Sequence, residues 1–153
     1  MQEQTYLSEE GYEKLKKELE ELKTVQRKEI SQRIEEAKKL GDLSENSEYM
    51  EAKEALEFNE RKIAEMDALF RNVAIISKNR KKGVVEIGSS VTAKSHGKSS
   101  DFMIVGSEEA DPASGKISNK SPLGSAFLGK KVGDIAEVHA PKGTVKYEIV
   151  DIH

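Results

Sequence analysis

Apolar residues recur along the first half of the chain in steps of three and four, the spacing that gathers them on one face of an α-helix. Tyr12, Leu15, Leu19 and Leu22 open this stripe, and Ile30, Ile34 and Ala37 continue it after an irregularity near Val25 and Gln26 that reads as a stutter. From Ser8 to about Leu40 there is no proline and a single glycine, Gly11, while Glu, Lys, Leu and Arg dominate. All four are good helix formers, and Ser8 is placed to cap the first helix. The second run is cleaner. Tyr49, Ala52, Leu56, Asn59, Ile63, Met66, Phe70 and Val73 alternate steps of three and four throughout. Asn59 is its polar exception, of a type that fixes register in such seams at a cost in stability.

Gly41 and Asp42 separate the two runs, a pair suited to end one helix and begin the next. Helices of about 30 residues are roughly 45 Å long, so a short link permits only an antiparallel hairpin. A single continuous dimeric coiled coil is the competing arrangement, and the Gly41-Asp42 break argues against it. The turn around residues 41–46 then becomes the exposed tip of a narrow rod, carrying the carboxylates of Asp42 and Glu45.

After Val73 the period changes. Short strand-like runs are predicted at Ser90–Ala93, Phe102–Val105, Gly115–Ile117, Ile135–Val138 and Val145–Ile152. Turn signals separate them at His96-Gly97-Lys98, Asp111-Pro112, Gly133-Asp134 and Pro141-Lys142-Gly143. Ser121-Pro122 supplies a cap and an N1 proline, so a short helix is expected over Pro122–Leu128, ending at Gly129. The fold class is therefore α+β: an N-terminal antiparallel coiled-coil hairpin over 1–76, a linker at 77–83 containing Arg80, Lys81 and Lys82, and a small sheet domain over 84–153 with one helix on a face.

Charge sharpens this division. Residues 1–76 hold 13 Lys/Arg and 19 Asp/Glu, a net of -6, whereas residues 77–153 hold 12 and 9, a net of +3. Neither half has the basicity of a protein that grips nucleic acid by itself. With no cysteine in 153 residues, thiolate chemistry and cysteine zinc sites are excluded. His96, His139 and His153 show no metal-ligand spacing. No apolar run is long enough to cross a bilayer and no signal-peptide pattern opens the chain, so a cytoplasmic location is expected.

Asp42-Leu43-Ser44-Glu45 has two readings. It fits a capping box, with Asp42 as N-cap and Glu45 three residues on. It also fits an acidic group carried on a rod and inserted into a cavity of a larger partner. Ser44 is a second possible cap and a poor nucleophile, because no histidine or lysine is arranged to activate it.

The two roles are compatible in time, with the carboxylates capping in the free protein and turning outward when docked, and longer motifs add weight to the second. Gly41-Asp42-Leu43-Ser44-Glu45-Asn46-Ser47-Glu48-Tyr49 is followed by Ala52-Lys53. Ile104-Val105-Gly106 leads to Glu109-Ala110-Asp111 and Gly115-Lys116-Ile117-Ser118. Ser121-Pro122-Leu123-Gly124 precedes Leu128-Gly129-Lys130-Lys131-Val132-Gly133-Asp134. In this order and spacing the whole chain resembles the Gre family of bacterial transcript-cleavage elongation factors, closest to its GreA branch.

The resemblance implies a finger that enters the secondary channel of RNA polymerase and an FKBP-like domain that docks at the channel rim. It implies stimulation of the polymerase's own cleavage of displaced 3′ RNA in backtracked complexes, with no catalysis by the factor alone. Asp42 and Glu45 match the family's functional acidic pair, which would hold or orient around a Mg²⁺ shared with the polymerase; no cofactor is expected on the factor by itself. Lys38, Lys39, Leu43, Asn46, Tyr49 and Lys53 are the expected contacts to the channel or to displaced RNA. The absence of a large basic face points to short extruded segments. DNA is met only indirectly, and a monomer with no membrane association is expected. Two alternatives stay open: a channel blocker that inhibits without activating cleavage, and a prolyl isomerase or chaperone. The second is disfavoured by the scarcity of aromatics in the second half, Phe102, Phe127 and Tyr147.

Overall fold

Glu9 begins a helix because Ser8 caps it: the Gly11 amide donates to Ser8 Oγ at 3.0 Å. A computed structural model of the chain describes residues 4–42, 45–77 and 83–153. Two units are distinguished, Glu13–Asn72 on one side and Met1–Tyr12 with Val73–His153 on the other.

The first unit is a helical hairpin. Helix α1 (Glu9–Glu21), a π-helical turn (Leu22–Gln26) and α2 (Arg27–Lys38) form one arm, and α3 (Ser47–Phe70) forms the other. Bonded partners on the first arm fall in number as those on the second rise, Ala37 with Asn46, Arg27 with Glu60 and Lys23 with Asp67, so the arms run antiparallel. The seam follows the apolar stripe. Ile30, Ala37, Ala52, Asn59 and Ile63 are buried, and Leu15, Leu19, Leu22, Ile34, Tyr49, Leu56, Met66 and Phe70 are half-buried. The irregularity near Val25 and Gln26 is the π turn, with Val25 itself exposed.

The stripe overreaches at its far end. Helix α3 stops at Phe70, and Val73 belongs to β2 (Val73–Ile75), paired in parallel with β1 (Thr5–Leu7). Helical spacing and a strand's first residue coincide at Val73, and tertiary pairing decides between them: Leu7, fully buried, needs a partner strand. β1 was not expected at all. Three residues are too few to show a period of two.

The larger sheet has strand order β5-β4-β3-β7-β6, with β3 (Ser90–Ser95), β4 (Lys98–Val105), β5 (Lys116–Ser118), β6 (Ile135–Ala140) and β7 (Gly143–Ile152). β4 and β5 run parallel, and the other neighbours are antiparallel. All five predicted strands are present: β5 is shifted by one residue at unchanged length, leaving Gly115 outside it, and the other four are lengthened by two to four residues. The β3–β4 turn is tight because His96 and Gly97 both have positive φ, 51° and 78°, the geometry that matches strand twist.

Helix α4 (Pro122–Phe127) begins as expected, with Ser121 Oγ accepting from the Gly124 amide at 3.0 Å. It drives Phe127, fully buried, into a core of Val85, Val91, Ala93, Ile104, Ile117, Ala136 and Ile149. Phe102, Phe127 and Tyr147 pack on one another with ring centroids 5.6 to 6.0 Å apart. Phe127 lies in the core of the sheet unit, and Phe102 and Tyr147, half-buried, pack against it.

Glycines explain two of the motifs. A Cβ on Gly106 would collide with the backbone carbonyl of Tyr6, so glycine is what lets β1 lie there. A Cβ on Gly124 would collide with the Ser118 carbonyl, which also accepts from Ser121 Oγ at 2.7 Å. Glu109 completes the start of α1, accepting from the Ser8 amide at 2.8 Å and the Ser8 hydroxyl at 2.5 Å.

Candidate functional site

The turn joining α2 to α3 is built by helix-ending geometry. After Lys38 the Lys39 amide donates to the Glu36 carbonyl at 3.2 Å and the Leu40 amide to Ala37 at 3.1 Å, tightening the last turn. Gly41 then takes φ 134°, a conformation that side chains resist. Asp42 follows, exposed; Glu45, also exposed, stands just before the second helix.

Asn46 starts that helix. Its Oδ1 accepts from the Tyr49 amide at 3.1 Å, making it the N-cap of α3, and its Nδ2 donates to the Ala37 carbonyl at 2.5 Å. The capping box expected on Asp42 and Glu45 is therefore not the one α3 uses. The reason is chemical: an asparagine side chain both accepts and donates, so one residue caps α3 and binds an end carbonyl of α2, which a carboxylate cannot do. The signal was present in the sequence, since asparagine is among the best N-cap residues.

Charges are arranged by helix polarity. Lys38 and Lys39 close α2, where carbonyls leave partial negative charge, and Glu45 and Glu48 flank the start of α3, where amides leave partial positive charge. Lys38, Lys39 and Lys53 are exposed, and Tyr49 is half-buried at the head of the seam. Leu43 and Ser44, expected at the tip, lie outside the described residues, as do Arg80, Lys81 and Lys82.

Among the described residues no group of three or more His, Asp or Glu is placed to hold a metal ion. Asp42 and Glu45 offer hard oxygen donors of the kind Mg²⁺ takes, and Mg²⁺ binds through one or two carboxylates when other ligands complete its shell.

Two family descriptions divide the chain between them. Residues 5–75 match the N-terminal part of the transcription elongation factors and residues 80–153 the C-terminal part of GreA/GreB. The chain belongs to the GreA/GreB family of transcription elongation factors. It is 48% identical over 147 residues to the transcription elongation factor GreA of Clostridium botulinum strain Langeland, covering 94% of this chain and 92% of that protein. It is 50% identical over 145 residues to GreA of Clostridium acetobutylicum, covering 93% and 92%. A crystal structure of GreA factor homolog 1 (Gfh1) of Thermus thermophilus is 28% identical, covers 99% of each chain and superposes with a TM-score of 0.45. Among the described residues, no helix of this GreA/GreB-family chain is long and apolar enough to cross a membrane.

Proposed function

We propose that this chain enters the secondary channel of RNA polymerase and stimulates the polymerase's own cleavage of the RNA 3′ segment in backtracked complexes, so that elongation resumes. As a factor of the GreA kind it acts in trans and is not the catalyst itself. The hairpin of residues 13–72 is the part inserted, and the sheet unit is the part that docks. One observation carries the reading. Asp42 and Glu45 are both exposed on a turn whose helix cap is supplied by another residue, Asn46.

Mg²⁺ shared with the polymerase's site would activate water and neutralise charge at the departing oxygen. Asp42 is assigned to that ion, directly or through a water. Glu45 is assigned to accept a hydrogen bond from the attacking water and take its proton. Lys38, Lys39 and Lys53 offer cations to RNA phosphate or channel carboxylates, and Asn46, Tyr49 and Leu43 shape the tip they surround. The factor is expected to act as a monomer and to meet DNA only through the polymerase.

The test uses purified polymerase stalled in backtracked complexes. The wild-type chain is expected to accelerate release of the 3′ fragment, while Asp42→Asn and Glu45→Gln each lose about a hundredfold of that stimulation and still compete for the polymerase. Intact stimulation by both variants, with the hairpin folded, overturns the tip assignment. Inhibition of nucleotide addition without cleavage selects the blocker instead.

A further inference from the structure

The first arm of the hairpin carries one residue more than a regular seam requires. Leu22 to Ala37 spans fifteen residues, whereas two heptads span fourteen. The surplus is absorbed by the π turn Leu22–Gln26. A π turn closes its bonds one residue further along, and its first carbonyl, that of Leu22, accepts from a donor on the other arm.

That donor is Asn59. Its Nδ2 reaches the Leu22 carbonyl at 3.1 Å, and Asn59 is only 5% exposed. Two ion pairs to carboxylates of α3 flank it: Lys23 Nζ donates to Asp67 at 3.1 Å, and the Arg27 guanidinium to both Glu60 oxygens at 2.7 and 2.9 Å. Of these α3 residues only Asn59 is buried. The bond ties the start of the π turn to one level of α3, at a seam position that an apolar residue would otherwise fill. The extra residue and the buried amide thus meet at one level of the seam.

Their joint effect is position. One additional residue displaces everything beyond it along its arm by on the order of 1 Å relative to α3, and what lies beyond is the tip. A misplacement of that size is enough to cost a catalytic group about a hundredfold. We propose that the π turn and Asn59 form a register lock that sets the axial position of Asp42 and Glu45, with Asn59 a positioning residue for the reaction. This rests on the assignment of the tip made above.

Three forms test it: wild type, Asn59→Leu, and Asn59→Leu with Val25 deleted. Val25 is 47% exposed, so its deletion takes nothing from the seam. The first measurement needs no polymerase. Nuclear Overhauser contacts across residues 22–27 and between Ala37 and α3 are expected to show the π turn in wild type and an unbroken α-helix in the deletion form. The deletion form should melt at or above Asn59→Leu.

The second measurement is cleavage in backtracked complexes. The deletion form should keep its half-maximal concentration within about threefold of wild type while its maximal rate falls at least about tenfold, the split expected when binding survives and geometry does not. A deletion form with the wild-type maximal rate overturns the proposal, as does a π turn that persists after the deletion. If the wild-type chain stimulates no cleavage, the tip assignment falls, and the lock is judged on the Overhauser contacts alone.

Discussion

The side-chain amide of Asn46 donates to the carbonyl of Ala37 at 2.5 Å, across the mouth of the turn that joins the two arms. The same side chain caps α3 through the Tyr49 amide. One residue therefore closes the loop on which both tip carboxylates stand, and its two bonds can be removed separately.

Asn46→Asp keeps the capping acceptor and loses the donor; Asn46→Ala loses both. Removing a good N-cap costs about 1 kcal/mol, and losing the side-chain partner of the Ala37 carbonyl about as much again. The expected order of stability is wild type, Asp, Ala, with roughly 2 kcal/mol between the ends. Amide exchange at Tyr49 and Met50 reads this directly. Equal exchange in the Asp variant and wild type would show that the bond to Ala37 contributes nothing.

The assignments of Asp42 and Glu45 differ in their metal dependence. A variant that lost a ligand should recover when Mg²⁺ is raised, because a weaker site still fills by mass action. A variant that lost a water-orienting base should not. Asp42→Asn is thus expected to regain most of its stimulation of cleavage at about tenfold higher Mg²⁺, and Glu45→Gln to stay low. The opposite result exchanges the two roles.

How far the sequence could be read varies with the length over which a pattern repeats. The hairpin was legible because its seam repeats many times, and a lone polar residue, Asn59, stands out against it. The strands of the sheet were legible because turn residues bound each one. Where a signal is carried by one tertiary contact it was not legible. β1 has three residues and is defined by Val73–Ile75 far along the chain. The cap of α3 was misplaced because Asp42 and Glu45 satisfy the same local rule as Asn46, and only the Ala37 carbonyl favours asparagine. The irregularity at Val25 was seen, but spacing alone does not distinguish a stutter from a single extra residue held by a π turn. Exposed lysines near a tip carry the same sequence signal whether or not they meet RNA.

The Arg27–Glu60 pair makes the hairpin's stability respond to pH. The hydrogen bond from Arg27 is the main cause that holds the Glu60 carboxyl below its ordinary value, with the guanidinium charge acting the same way and desolvation opposing. The bond from Glu60 likewise raises Arg27. For Glu60 the folded value lies below the unfolded one, so its contribution is present above the usual carboxylate range and is lost as pH falls through the folded value. For Arg27 the contribution is complete below its ordinary value and is lost only in strong alkali. Stability of the hairpin should therefore decline on acidification. Glu60→Gln should be less stable at neutral pH and show a flatter slope, and about 1 M salt should weaken the pair, which is exposed. Amide exchange in α2 and α3 as a function of pH checks it, and an unchanged slope in Glu60→Gln assigns the acid sensitivity elsewhere.

Gly11 offers a prediction whose sign depends on a residue 98 positions away in the chain. In a helix, alanine is ordinarily preferred to glycine by up to about 1 kcal/mol. At Gly11 a Cβ would meet the Glu109 carboxylate, which holds the amide and hydroxyl of Ser8. The carboxylate is the end of a flexible side chain and can move aside, but moving gives up its bonds to Ser8, worth about 1–3 kcal/mol together. Gly11→Ala should thus destabilise the chain by roughly 1 kcal/mol in the wild-type background. With Glu109→Ala already present the obstacle and the bonds are both gone, and the same substitution should be neutral or stabilising. Denaturation of the four forms of this cycle gives the coupling energy, and a substitution with the same effect in both backgrounds would mean that Glu109 does not set the requirement for glycine at the start of α1.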